Sequence, residues 1–412
     1  MNILYMVHQF YPEYWTGTEK FVLKISSMMQ KARHRVSVVT YGFYADSDWD
    51  KSIGDIHWKE FTYKGVRVIA LRHKRIPNDV HIRLGDDSMT SAAKRLLSLE
   101  KPDVIHIAHF MRVSEVAVVA KSLNIPYIMT LTDYWMICPK YNLVNSKGDL
   151  CGGPGGGKVC ARSCPELPAD FVSKRLTRAR DILFGAKSVI SPSNFLAGMF
   201  KREFPDLSVR IINHGVSYNR IKRNNRSYRN GDSLTFCFAG SLNHHKGVHV
   251  LLQAFKEISC RNVVLKIFGT GPDQTYVNKL HDLARGDTKI EFHDAFPEED
   301  VGDILSSVDV VIVPSLWYET YALILHEALA CHTPVLISNA GGMAEKVNNG
   351  VNGFTFSLGD KDSLKVAIET IIDNPVILND IKENLKSLMV PTIEQEAYAY
   401  HELYTDILRE LV

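Results

Sequence analysis

The sequence predicts an α/β protein built of two Rossmann-like domains, and three observations predict it. Short apolar runs alternate with helical patterns through the first half, the signature of a parallel sheet with crossover helices. The alternation stops in a polar, arginine-rich stretch at 217–233 and then restarts. The chain has 412 residues, more than one ordinary core serves.

In the first half the strand-like runs are 3–7, 36–40, 66–70, 104–107, 127–131, 188–190 and 209–212, rich in Val and Ile. Between them, apolar residues recur at helical spacing over 18–31, 89–99, 114–123, 171–184 and 194–201. The polar segments 46–64 and 72–87 read as loops. In the second half the strands are 234–238, 263–268, 289–292, 308–313, 335–337 and 354–356. The helices there are 248–258, 275–284, 300–306, 321–330 and 344–348. From Leu364 the pattern is helical, interrupted at Pro375 and Pro391. The domain expectation is therefore 1–216, a solvated linker 217–233, a second domain 234–391, and a terminal helix 392–412 that crosses back to the first.

Composition narrows the function. Forty-eight basic residues against 46 acidic ones leave +2, which argues against nucleic-acid binding through bulk charge. No run approaches ~18 uninterrupted apolar residues, so no membrane span is expected. The N-terminus reads as a buried strand rather than a leader. Seven cysteines, an odd number, point to a reducing cytoplasm.

The stretch 314–345 is the most informative. It leaves an apolar strand, opens a helical pattern, and closes on a second strand followed by Gly341-Gly342. Open α/β sheets bind ligands at such carboxyl edges. Glu319 and Glu327 lie inside it, and on one helix roughly 12 Å would separate them. That is too far to share a proton, but suits two ends of one ligand. Two turns are candidate phosphate loops. One is 11–19, with Gly17 before a helix; the other is 238–247, where Lys246 and Gly247 follow Gly240-Ser241-Leu242. A lone glycine or a surface lysine would be an ordinary feature in either.

Taken in order, Gly240-Ser241-Leu242, Lys246-Gly247, 268–272, Pro314-Ser315, Glu319, Glu327, Gly341-Gly342 and Glu345 resemble a known family. It is the family of retaining, nucleotide-sugar-dependent glycosyltransferases with the GT-B fold, the fourth family of the usual classification. The first half agrees through Tyr11-Pro12, 16–19, 34–40, 102–106 and 191–193, so the resemblance covers nearly the whole chain. The fold it implies is two facing Rossmann-like domains.

The resemblance also implies roles. Glu327 would hold the nucleotide ribose, Glu319 would face the donor sugar, and Lys246 would neutralise the leaving diphosphate. Gly240, Ser241, Tyr321, Ala322 and Leu323 would approach donor sugar or phosphate, and Gly17 would do so from the first domain. A histidine after strand 104–107 would point at the sugar; His106 and His109 both qualify, and His109 is preferred because it lies beyond the strand end. His109, Lys246 and Glu319 are thus the catalytic candidates, with no cofactor for catalysis. The chain departs from the pattern at Ser241, where arginine is usual, at Ala322 and Thr16, where glycine is, and at Thr132-Asp133, usually His-Asp.

An insertion at 134–168 carries Cys138, Cys151, Cys160 and Cys164, and a subgroup of the resembling transferases has a similar segment after Asp-Tyr-Trp. A structural zinc site, an iron–sulfur cluster or free thiols all suit this spacing. Lys174, Arg175, Arg178 and Arg180 follow on a basic helix. Their charge suits an anionic lipid-linked acceptor or peripheral membrane association, and equally a solvated face. The expectation is a cytoplasmic glycosyltransferase, at the inner face of the membrane, acting on a glycan or lipid-linked acceptor in bacterial surface polysaccharide or lipopolysaccharide synthesis. Its competitors are a nucleotide-sugar 2-epimerase and a non-catalytic sugar-nucleotide-binding protein.

Overall fold

A computed structural model describes residues 1–168, 170–260 and 262–410. The chain divides into two compact units, one formed by 1–214 with the segment from Ile393 onward and the other by Gly215–Thr392.

The first unit holds a nine-stranded sheet among the described residues. Its strands in chain order are β1 (Asn2–Met6), β2 (Arg35–Tyr41), β3 (Lys51–Ile53), β4 (Ile56–Tyr63), β5 (Val66–His73), β6 (Val104–Ile107), β7 (Tyr127–Thr130), β8 (Ser188–Ser191) and β9 (Arg210–Ile211). The spatial order is β3-β4-β5-β2-β1-β6-β7-β8-β9. The strands run parallel except at the β3–β4–β5 edge, which is antiparallel. Helices α1 (Gly17–Lys31), α2 (Thr90–Glu100), α3 (Ser114–Ser122), α4 (Lys158–Ser163), α5 (Phe171–Gly185) and α6 (Asn194–Glu203) belong to this unit.

The segment 46–64, expected to be a loop, supplies β3 and β4. Ile56 and Trp58 point inward and are fully buried, while His57 and Lys59 alternate with them on the outside. An edge hairpin buries one face only, so its charge content hides its period of two.

The second unit carries β10 (Leu234–Ala239), β11 (Val263–Phe268), β12 (Ile290–His293), β13 (Val310–Val313), β14 (Val335–Ser338) and β15 (Phe354–Phe356). They form a fully parallel sheet in the order β12-β11-β10-β13-β14-β15. Around it lie α7 (Val248–Lys256), α8 (Gln274–Ala284), α9 (Val301–Ser306), α10 (Leu323–Ala330), α11 (Lys361–Asp373) and α12 (Ile377–Lys386). The last helix, α13 (Ile393–Arg409), packs on the first unit, where Tyr400 and Tyr404 are fully buried.

The stretch 217–233 is not a solvated linker. Its backbone and side chains are spent on the second unit: Asn224 N donates to Cys331 O, and Asn224 Nδ2 donates to Val308 O. Arg226 Nη1 reaches both oxygens of buried Asp309 at 2.9 and 2.8 Å, and buried Tyr228 donates to the same carboxylate. The segment reads as a solvated linker in sequence because these anchors are polar rather than apolar. Two helical assignments also change. The pattern at 344–348 forms a turn after a short 3-10 segment at Gly341–Met343, and α10 begins at Leu323 instead of Tyr321.

Candidate functional site

Each sheet has a point where the chain crosses to strands on the other side of its first strand. In the second unit the switch lies between β10 and β13, and in the first between β1 and β6. The crevice beyond such a switch is open at the carboxyl ends of the strands, because successive connections leave to opposite faces there.

In the second unit both strands at the switch lead into the predicted residues. The exit of β10 is held beside that of β11, since Gly240 N donates to Phe268 O at 3.0 Å and Leu242 N to Thr270 O at 2.9 Å. Ser241 accepts from Asn243 Nδ2 at 3.2 Å. A short 3-10 turn then presents Lys246. Gly247 follows with φ +71, and a Cβ there would fall 1.9 Å from the carbonyl oxygen of Pro314. Only glycine lets these two strand exits approach so closely. Leu316 N donates to His245 O at 2.8 Å and ties them further.

That proximity brings Lys246 Nζ to 2.6 Å from Glu319 Oε1. Glu319 is 4% exposed and also accepts from Ser315 Oγ at 2.6 Å. Burial alone would raise its carboxyl. The Lys246 ammonium and hydrogen bonds from Lys246, Ser315 and Trp317 overcome this and hold it below the ordinary carboxylate range. The carbonyl of Glu319 accepts from Gly342 N at 2.7 Å, so the Gly-Gly turn after β14 closes on the same loop.

Glu319 therefore stands in the loop before α10, not on the helix, and the helix-based separation from Glu327 does not hold. The cause is Ala322, whose φ of +59 breaks the helical path one residue before α10. Glu327 lies on α10 and is half-buried. Tyr321 is buried and stacks on His326 with ring centroids 3.7 Å apart, and the Ala322 carbonyl accepts from His326 Nδ1 at 3.1 Å. These contacts hold the Tyr321–Leu323 backbone at the start of α10. His245, packed edge-on to Trp317, is kept neutral by burial and by Lys246 beside it, its pKa lowered to about 4.

In the first unit His109 follows β6. Met111 N donates to its Nδ1 at 3.2 Å, so Nε2 carries the hydrogen and donates to Asp133 Oδ2 at 2.9 Å. Its ring lies 4.1 Å from that of His8, which follows β1. His8 is held neutral by burial and by the Arg112 charge, well below its ordinary value. Its Nδ1 lies 3.8 Å from Glu19 Oε1, too far for a hydrogen bond, and both atoms are buried without a hydrogen-bond partner among the described residues.

Glu19 spends its other oxygen on Thr16 N and Thr16 Oγ1, both at 2.6 Å, capping α1. Burial pushes the Glu19 carboxyl up despite those bonds. Gly17 is exposed at the first position of this helix. His106 is elsewhere. It sits fully buried within β6, bonded to Tyr404 Oη at 2.6 Å and Thr130 Oγ1 at 2.7 Å, and burial lowers its pKa to about 3. Sequence reasoning did not single out His8. The signal was its position: it follows the first strand, beside the one that ends at His109.

The insertion is organised by an arginine. Arg175 of α5 is 4% exposed and donates to the carbonyls of Ile82, Met136 and Trp135 while lying 4.4 Å over the Trp135 ring. The expected single basic face of this helix is thus divided: Arg175 turns inward, while Lys174 and Arg180 face solvent. Cys138, Cys160 and Cys164 are buried, Cys151 is half-buried, and all four are free thiols. Burial and the neighbouring thiols push Cys160 up to about 12. Among the described residues no three such side chains are grouped so that they could hold a metal ion, so the thiols as placed do not fit a zinc site. No described helix is long and apolar enough to cross a membrane.

Residues 16–201 match the Glycosyl transferase 4-like domain, and residues 219–388 match Glycosyl transferases group 1. A lipopolysaccharide 1,2-N-acetylglucosaminetransferase of Salmonella typhimurium is 29% identical over 182 residues, 40% of this chain and 48% of that protein. The glycogen synthase of Mycobacterium tuberculosis is 25% identical over 91% of this chain and 87% of its own length. The chain spans about half the length of the first curated relatives it matches. Among solved structures, Anabaena Alr3699/HepE in complex with UDP and glucose superposes with a TM-score of 0.70. It is 18% identical, covering 98% of this chain and 99% of that one. The two parallel-sheet units are therefore Rossmann-like domains of the GT-B kind.

Proposed function

We propose that this chain, in which a glycosyl transferase 4-like domain precedes a glycosyl transferase group 1 domain, moves a sugar from a nucleotide-diphosphate donor to a glycan or lipid-linked acceptor with retention of anomeric configuration. The observation that carries the proposal is the Lys246–Glu319 pair beyond the switch point of the second sheet. When the bond from the anomeric carbon to the β-phosphate oxygen breaks, negative charge grows on that phosphate. Lys246 and the backbone amides at the start of α10 are fixed donors for that charge. Glu319 holds the lysine in place and meets the donor sugar, and Glu327 meets the ribose. Gly240 and Ser241 border the phosphates.

In the first unit His109, oriented by Asp133, is assigned to the sugar-side chemistry. The acceptor hydroxyl attacks from the face that the leaving group departs, and the departing phosphate oxygen takes its proton. The proposal extends to bacterial surface polysaccharide synthesis, in the cytoplasm at the inner face of the membrane. Its support is that a matched relative is named for lipopolysaccharide glycosylation. The test is incubation with UDP-, GDP- and ADP-sugars labelled in the sugar. Slow donor hydrolysis with release of nucleotide diphosphate is expected. Exchange at C2 would identify an epimerase, and tight binding without turnover a binding protein; either result overturns the proposal.

A further inference from the structure

An open cavity of about 820 Å³ lies in the first unit, where β5 ends at His73 and the following loop returns toward Arg178 of α5. β5 is two places from β1 in the sheet, so the cavity opens at the same carboxyl edge as the His8–His109 cluster. Two strand spacings put it roughly 10 Å along that edge.

Charge defines what it takes. Lys74, Arg75, Arg83 and Arg178 line it against Asp55, Asp86 and Asp87. Asp86 is already spent: it is 7% exposed, bonds His73 Nε2 at 2.7 Å and Ser88 Oγ at 2.6 Å, and pairs with Arg83. Lys74 and Arg75 are exposed and make no ion pair among the described residues.

Among the described residues Arg178 pairs with Glu115, at 3.9 Å, and that carboxylate accepts from Asp86 N at 2.9 Å and Thr90 Oγ1 at 2.8 Å. The Arg178 guanidinium rests against Gly85, whose φ is +82 and whose Cβ would fall 1.9 Å from Arg178 Nη2. No tryptophan, tyrosine or phenylalanine lines the cavity among the described residues, so it offers no ring for a neutral sugar to stack on. Two cations with no ion pair among the described residues, Lys74 and Arg75, and an arginine paired only at 3.9 Å suit the oxygens of a phosphate.

We propose that this cavity binds a phosphate ester or diphosphate carried by the acceptor, an inference that rests on the transferase reading above. The phosphate contacts Lys74, Arg75 and Arg178, while Asp86 and His73 position Arg83 at the rim. The acceptor is then an anionic molecule, either a soluble sugar phosphate or a lipid-linked diphosphate.

Calorimetric titration of the full chain with inorganic pyrophosphate tests the site. The binding that survives in K246A is expected to weaken at least about tenfold when K74Q/R75Q/R178Q is added, and to lose much of its salt dependence. Binding unchanged by that addition, or already lost in K246A, overturns the proposal. A thermal transition matching the unsubstituted protein shows that the variant is folded. A sugar 1-phosphate and a polyprenyl diphosphate in detergent micelles then separate the two sources. At least one must bind the unsubstituted protein and lose affinity in the triple variant; if neither does, the proposal falls. If pyrophosphate maps to the cavity but no donor is ever hydrolysed, the site stands and the transferase reading fails.

Discussion

His109 Nε2 lies 2.9 Å from Asp133 Oδ2, and His109 Nδ1 accepts from Met111 N, so both ring nitrogens are committed. A carboxylate at this place fixes the tautomer, and an amide would not accept in the same way. Asp133→Asn is expected to lower turnover about tenfold or more, the equivalent of a charge-assisted hydrogen bond of about 1.5–3 kcal/mol. Nucleotide binding should stay the same, because the nucleotide is assigned to the second unit. Steady-state kinetics beside nucleotide titration checks both halves.

The Lys246–Glu319 pair makes a second prediction. Lys246→Ala leaves a carboxylate that is 4% exposed without its cation, a change that costs about 3 kcal/mol for buried pairs. Turnover should fall with stability. Because the folded carboxyl lies below its ordinary value, the pair's contribution is complete above the unfolded pKa near 4.5 and is lost as pH falls through the folded one. Thermal unfolding between pH 5 and acid should show a smaller acid loss for Glu319→Gln than for the unsubstituted protein.

His106 gives an acid limb of different origin. Its pKa is about 3 in the folded chain against an ordinary 6.5, so the unfolded state binds more protons between those values. Stability should therefore fall as pH drops from 6.5 toward 3, and His106→Gln should flatten that slope. An unchanged slope in chemical denaturation would show that the imidazole is not held neutral.

Ala322 occupies the left-handed region at φ +59, which costs a residue with a Cβ roughly 1–2 kcal/mol. Part of that returns as glycine's larger entropy loss. Ala322→Gly is expected to stabilise the protein by about 0.5–1 kcal/mol, read as a higher melting temperature, with donor affinity retained.

Arg175→Met should loosen the insertion. Removing the guanidinium leaves the carbonyls of Ile82, Met136 and Trp135 without their donor. Burying such groups unpaired costs about 1–3 kcal/mol each at most. Limited proteolysis within 139–157 should accelerate, and Cys160, protected by burial at neutral pH, should alkylate faster.

Much of the architecture was legible in the sequence because it is written in apolar periodicity. The strands at both switch points, 3–7, 104–107, 234–238 and 308–313, are short and mostly apolar runs, as strands buried on both faces must be. What was hidden is written in polar chemistry. The arm at 217–233 is held by Asp309 and Asn379, and the insertion by Arg175, and neither leaves a periodic trace. The site was legible as motif and order. Its internal geometry was not, because the positive φ at Ala322 takes Glu319 off the helix and toward Lys246.

Gly247 touches no ligand in any role given above, yet Pro314 O would sit 1.9 Å from any Cβ placed there. A single methyl group would act as a wedge between the exits of β10 and β13. Substitution tolerance should therefore be low at a position with no functional group at all. A saturation scan scored by growth would rank it beside the charged residues it brings together, for a reason that belongs to backbone spacing alone.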